Sequence, residues 1–108
     1  MIATTIEQSK KLIELGIDVN SADMYYWNNR ELKIGSSKAM DIEFDTPAWS
    51  LSALLNILLS PHLEQYDNDT WVCSVFNENN HFIDDSYGIE PVDVCYEMIL
   101  KLHDQKLL

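Results

Sequence analysis

The sequence predicts an α+β fold: one antiparallel sheet of four or five strands, arranged as two hairpins, with a central and a C-terminal helix packed on one face and a short N-terminal helix. Three observations carry that expectation. Residues 50–60 (SLSALLNILLS) are apolar nearly all round a helical wheel, the mark of a helix buried on several sides. Two pairs of β-favouring runs, 24–27 with 31–34 and 70–76 with 81–87, are each separated by turn residues. Residues 91–105 repeat apolar side chains at helical spacing. Hairpins alternating with helices favour an antiparallel sheet.

Taken in order, Thr5-Ile6-Glu7-Gln8 is a capping-box pattern that opens a helix to about Leu15, with Ile6, Leu12 and Ile13 on its apolar side. Gly16 stands where a left-handed C-terminal residue is wanted. Residues 17–23 read as a structured loop. Residues 24–27 and 31–34 form the first hairpin around Asn28-Asn29-Arg30, with Tyr25 and Trp27 on one face and Tyr26 on the other. Gly35-Ser36-Ser37-Lys38 reads as a flexible loop. Met40-Asp41-Ile42-Glu43-Phe44 alternates and predicts a short strand with Met40, Ile42 and Phe44 inward.

In the central helix Leu51, Leu54, Leu55 and Leu58 share a face widened by Ala53, Ile57 and Leu59. Ser50 can cap it, with Trp49 and Leu54 as a hydrophobic staple, while Thr46 before Pro47 is a competing, earlier cap. Pro61 stops it, and a polar loop runs to Asn68. The strand at 70–76 has Trp71, Cys73 and Val75 on one side and Val72 and Phe76 on the other, the pattern of a central strand. Asn77-Glu78-Asn79-Asn80 turns into its partner, which Gly88 ends. Pro91 opens the last helix, with Val92, Cys95, Ile99 and Leu102 inward, Val94 and Met98 beside them, and Glu97 and Lys101 as an outward i,i+4 pair.

The length of 108 residues suits one compact domain over 1–108 with a core that needs no metal or disulfide. Residues 1–5 have neither the basic region nor the apolar core of a secretory leader, and no run is long enough to span a membrane, so a cytoplasmic protein is expected. Cys73 and Cys95, the only cysteines, then read as buried thiols. The formal net charge is −11. No Lys or Arg occurs from Ala39 to Leu100, where twelve carboxylates fall. Such a surface repels nucleic acid and anionic membranes; solubility alone is the first reading of it, and attraction of a basic protein partner the second. If that acidity is functional, Asp67, Asp69, Glu78, Asp84 and Asp85 should gather on one face opposite the helices.

Candidate chemistry is sparse. Asp67-Asn68-Asp69 opens like a calcium loop, but Trp71 holds the fifth position and no Gly follows. His81 and Asp85 share a face at period two, and His62 can join them from a loop, which makes this hairpin the one candidate for a small enzyme or metal-binding site. Cys73 and His81 can be paired as nucleophile and base, yet nothing local lowers the thiol pKa. His103 falls in the last turn of the C-terminal helix. No phosphate loop, dinucleotide fingerprint or nucleophile elbow is present, and neither catalytic residues, metal ligands nor a cofactor are assigned.

Ile6–Leu12, Ser21–Tyr25, Thr46–Leu55 and Cys95–Leu102 together resemble an uncharacterised family of small proteins from Bacteroides-type bacteria and their phages or prophages. Pro-Ala-Trp-Ser-Leu-Ser-Ala-Leu-Leu, residues 47–55, is the most specific part. The resemblance implies a phage or mobile-element context and assigns no activity or site residue. The expectation is a non-enzymatic acidic interaction protein (a modulator, inhibitor or decoy), with a small enzyme or metal-binding protein built on His81 and Asp85 as the alternative.

Overall fold

The computed structural model describes residues 1–108 except Ile42. The chain is α+β and divides into two compact units, Met1–Ala53 and Leu54–Leu108. Each contains a three-stranded antiparallel sheet.

In the first unit, helix α1 (Ile6–Glu14) opens on the expected capping box. Thr5 Oγ1 accepts from Gln8 N, and Gln8 Oε1 accepts from Thr5 N. Gly16 ends it at φ +91°, a conformation that favours glycine. Strands β1 (Met24–Trp27) and β2 (Glu31–Ile34) pair as predicted, through a turn in which Asn28 and Asn29 both adopt left-handed angles that asparagine tolerates. The third strand, β3 (Thr46–Ala48), lies on the other side of β1. In sequence Thr46 before Pro47 reads as an early helix cap, and Pro47 has no N–H to donate. At a sheet edge that loss is tolerated.

Trp49 is fully buried at the centre of this unit. Its backbone is clamped by Thr4, which donates its N–H to Trp49 O and accepts Trp49 N–H on Oγ1. Its indole Nε1 donates to Ser21 Oγ at 2.9 Å. Thr4 Oγ1 also lies 2.8 Å from Ser9 Oγ, and Tyr26 Oη donates to Thr4 O. Burying Thr4 and Ser9 is tolerable because these groups satisfy one another.

The strand expected over Met40–Phe44 does not form among its described residues; Ile42 lies outside them. Asp45 Oδ2 accepts from Asp41 N, and Asp41 Oδ1 from Glu43 N. These bonds close a turn that leaves Phe44 exposed, so local carboxylate capping overrides the alternation. Residues 35–38, expected as a flexible loop, lead into a 3₁₀ turn at Ser37–Ala39 capped by Ser36.

Helix α2 (Leu51–Ile57) is shorter than the run of apolar residues suggests and spans the boundary between the units. Ser50, not Thr46, caps it by accepting from Ala53 N, and Ser50 in turn donates to Asp23. Leu54 and Leu58 are buried, whereas Leu55 is half-buried and Leu59 exposed.

The second unit is a helix on a sheet. Strands β4 (His62–Gln65), β5 (Trp71–Phe76) and β6 (Phe82–Gly88) are ordered β4-β5-β6, so β5 is central as predicted. Helix α3 (Pro91–Asp104) packs against β5 and β6. Its inner stripe of Val92, Cys95, Ile99 and Leu102 is buried, as are Val94 and Met98. Gly88 passes so close that a Cβ there would lie 2.9 Å from Val94 Cγ2. The prediction of one sheet with four or five strands is thus corrected: among the described residues six strands form two sheets, each unit closing its own.

Candidate functional site

The geometry of the second sheet follows from its register. Leu63, Cys73 and Ser86 occupy one cross-strand row, and Val75 pairs with Asp84. All of these lie on the face toward α3. There Ser86 Oγ donates to Val94 O at 2.6 Å, while Gln105 Nε2 and Lys101 Nζ engage the Asp84 carboxylate. Cys73 and Cys95 meet in this core as free thiols. A hydrogen bond to Cys73 and burial both push the Cys95 thiol pKa up, which keeps it protonated and inert.

The opposite face carries His62 and Glu64 from β4, Val72, Ser74 and Phe76 from β5, and Phe82, Asp85 and Tyr87 from β6. Aromatic groups stand at both ends. At one, the His62 ring meets Phe76 edge-on at 4.8 Å, and Phe76 meets Phe82 at 6.0 Å. At the other, Tyr87 is 59% exposed and Tyr66, beyond the end of β4, is 75% exposed. Tyr87 Oη donates to Asp85 Oδ2 at 3.0 Å. That bond and the carboxylate charge raise the Tyr87 pKa, with Tyr66 close enough to contribute. Exposed aromatics beside carboxylates suit a cationic partner, which gains both ion pairing and contact with ring faces.

A β-bulge at Val75/Phe76 shapes this face. Phe76 pairs with Phe82 and Val75 with Asp84, so Ile83 is the extra residue. The slip breaks the two-residue period on which the His81–Asp85 pairing rested. His81 sits in the turn, its N–H donating to Asn77 Oδ1, and no longer shares a face with Asp85. His62, Ser74 and Asp85 do fall in one row, but serine is in the middle. A nucleophilic triad needs histidine between the other two, so the row supports no such relay. Among the described residues no three His, Cys, Asp or Glu side chains converge as metal ligands. Asp67 spends an oxygen on Asp69 N in its own turn, and His103 lies at the end of α3.

The expected clustering of Asp67, Asp69, Glu78, Asp84 and Asp85 is not observed. Asp84 faces α3 and Asp85 faces away from it. Asp67 and Asp69 lie in the β4–β5 turn, and Glu78 lies at the opposite end of the sheet in the β5–β6 turn. Nor does Lys101 pair with Glu97. It reaches instead across to β6, donating to Asp85 O at 2.6 Å beside Asp84. Asp85 N donates to Asp84 Oδ1. The middle of the β6 backbone is therefore already satisfied, one of the ways proteins blunt an edge strand.

The aromatic residues of β1 are engaged within their own unit: Tyr26 anchors Thr4, Tyr25 is half-buried, and Trp27, though 52% exposed, has Lys33 Nζ 5.1 Å above its ring. No described helix is long and apolar enough to cross a membrane. The chain matches no protein-family model, no curated protein and no solved structure.

Proposed function

We propose that this is a non-enzymatic interaction protein whose working surface is the outer face of the second sheet, and that its partner is a basic protein segment. The reading rests on one observation: Phe82 and Tyr87 stand more than half exposed on a sheet face that also carries Glu64 and Asp85. Charge selects the partner. Residues 54–108 hold ten carboxylates against two lysines, a formal net charge of −8, which repels nucleic acid and a second copy of the same face. The dispersal of the turn carboxylates argues for recognition by this mixed aromatic and acidic face over binding by bulk charge alone. The satisfied middle of β6 favours docking on the face over addition of a strand at that edge. The resemblance of residues 47–55 to phage and prophage proteins supports a mobile-element modulator, inhibitor or decoy acting in a bacterial cytoplasm.

A fluorescein-labelled octapeptide of alternating lysine and threonine is a suitable probe for anisotropy. It should bind the native protein and weaken as salt rises from 0.01 to 0.15 M, where the screening length falls from about 30 to about 8 Å. The double variant Phe82→Ser/Tyr87→Ser should lose most of the affinity while keeping its fold by circular dichroism. Equal binding by the folded double variant, or by an alternating glutamate–threonine peptide, refutes the assignment.

A further inference from the structure

We infer that the groove beside the β5–β6 turn is an anchor site for an apolar side chain, presented by a basic segment next to a lysine or arginine that Glu78 receives. This deepens the reading of the outer face and rests on it. The groove encloses about 470 Å³ and is bounded by Leu59, Phe76, Ile83 and Leu107, with Glu78 its sole charged wall. Two observations give it an occupant. The first is continuity: Phe76 walls the groove and also forms the centre of the His62–Phe76–Phe82 ring row, so a chain crossing the face meets the groove next. The second is chemistry.

Leu59 and Leu107 remain about two-fifths exposed at the groove, apolar surface that a buried side chain would remove from water. Of the polar lining groups, Ser60 carries no charge and Asn77 has committed its Oδ1 to the N–H groups of Asn79 and His81. That leaves Glu78, exposed in the turn, as the charged contact for whatever enters. An anionic or strongly polar ligand finds no complementary charge here. A leucine-like side chain flanked by a cation does. The bulge that inserts Ile83 is what gives the groove one of its apolar walls, so the irregular register has a consequence for recognition.

The test compares two labelled peptides by anisotropy: the alternating lysine–threonine octapeptide, and the same peptide with one central threonine replaced by leucine. The leucine peptide should bind about tenfold more tightly, the scale expected for burying part of one side chain. In Leu59→Gln/Leu107→Gln, whose positions are exposed and carry no charge, that gain should vanish while the lysine–threonine peptide binds as before. In Glu78→Gln the leucine peptide should weaken about threefold and lose part of its salt dependence. Equal affinity of the two peptides for the native protein, or a gain that survives the double leucine variant, overturns the anchor site and leaves the face reading standing. Failure of the lysine–threonine peptide itself to bind overturns both.

Discussion

The two halves of this chain solve the same problem, covering a three-stranded antiparallel sheet, with opposite materials. Met1–Ala53 encloses Trp49 in a web of hydroxyls and backbone groups, and buries Thr4, Ser9 and Thr46 to do so. Leu54–Leu108 lays one helix across its sheet and buries a nearly dry core, with Ser86 its one buried polar residue. The charge differs as well: eight carboxylates against five basic residues in the first half, ten against two in the second. The buried hydroxyls of the first unit are consumed internally, whereas the outer sheet face of the second sets carboxylates beside exposed aromatic rings, which is where recognition is expected.

Core truncations should give the largest effects, and they probe both halves. Trp49→Ala is expected to cost about 3–5 kcal/mol and Ile99→Ala about 2–5 kcal/mol, measured by denaturant unfolding. An unchanged midpoint for Trp49→Ala would break the description of the first unit. Next in size is a contrast between hydroxyls. Thr4→Val removes the acceptor of Trp49 N–H and the partner of Ser9, and should cost about 1–3 kcal/mol. Ser86→Ala removes only a donor to a carbonyl within helix α3, and should cost about 0.5–1.5 kcal/mol. A reversed ranking would erase the contrast between a polar and a dry core.

Tyrosine titration separates the units by pH. Burial raises the Tyr26 pKa above its ordinary 10.0, and burial with nearby Glu97 does the same for Tyr96. The unfolded chain therefore releases these protons first. The stability they contribute is complete below about pH 10 and is lost as pH climbs through the folded-state values. Tyr26→Phe should flatten the alkaline loss that thermal melts record, and an undiminished slope would count against its part-buried bond to Thr4 O. The smallest effect on stability is expected of Lys101→Met, within about 1 kcal/mol for an ion pair this exposed. Its consequence should be self-association, seen by sedimentation, because Asp85 O on the β6 edge loses its donor. A variant that stays as dispersed as the native chain would remove edge protection from the account.

Much of this fold is legible in the sequence, for reasons visible in the same comparison. The capping box of α1, both hairpins at β1–β2 and β5–β6, and the inner stripe of α3 are encoded locally, by turn residues and periodicity. Strands β3 and β4 are not. Thr46-Pro47-Ala48 carries a helix-start signature, and His62-Leu63-Glu64-Gln65 is too polar to read as a strand; each is defined by the neighbour it pairs with. Missing both turned two sheets into one. The His81–Asp85 pairing failed on a single bulge, which no period-two argument can anticipate. The outer face was legible as residues and not as a surface, since the alternation of Val72 and Phe76 does not say which side α3 will cover.

A backbone amide titration with the lysine–threonine octapeptide, followed by heteronuclear NMR, tests the assignment of function to that face most directly. Shifts should concentrate on Glu64, Val72, Ser74, Phe82, Asp85 and Tyr87, and amides of Met1–Ala53 should hold still. Shifts centred on residues of the first unit, such as those around Trp27 or α1, would contradict it.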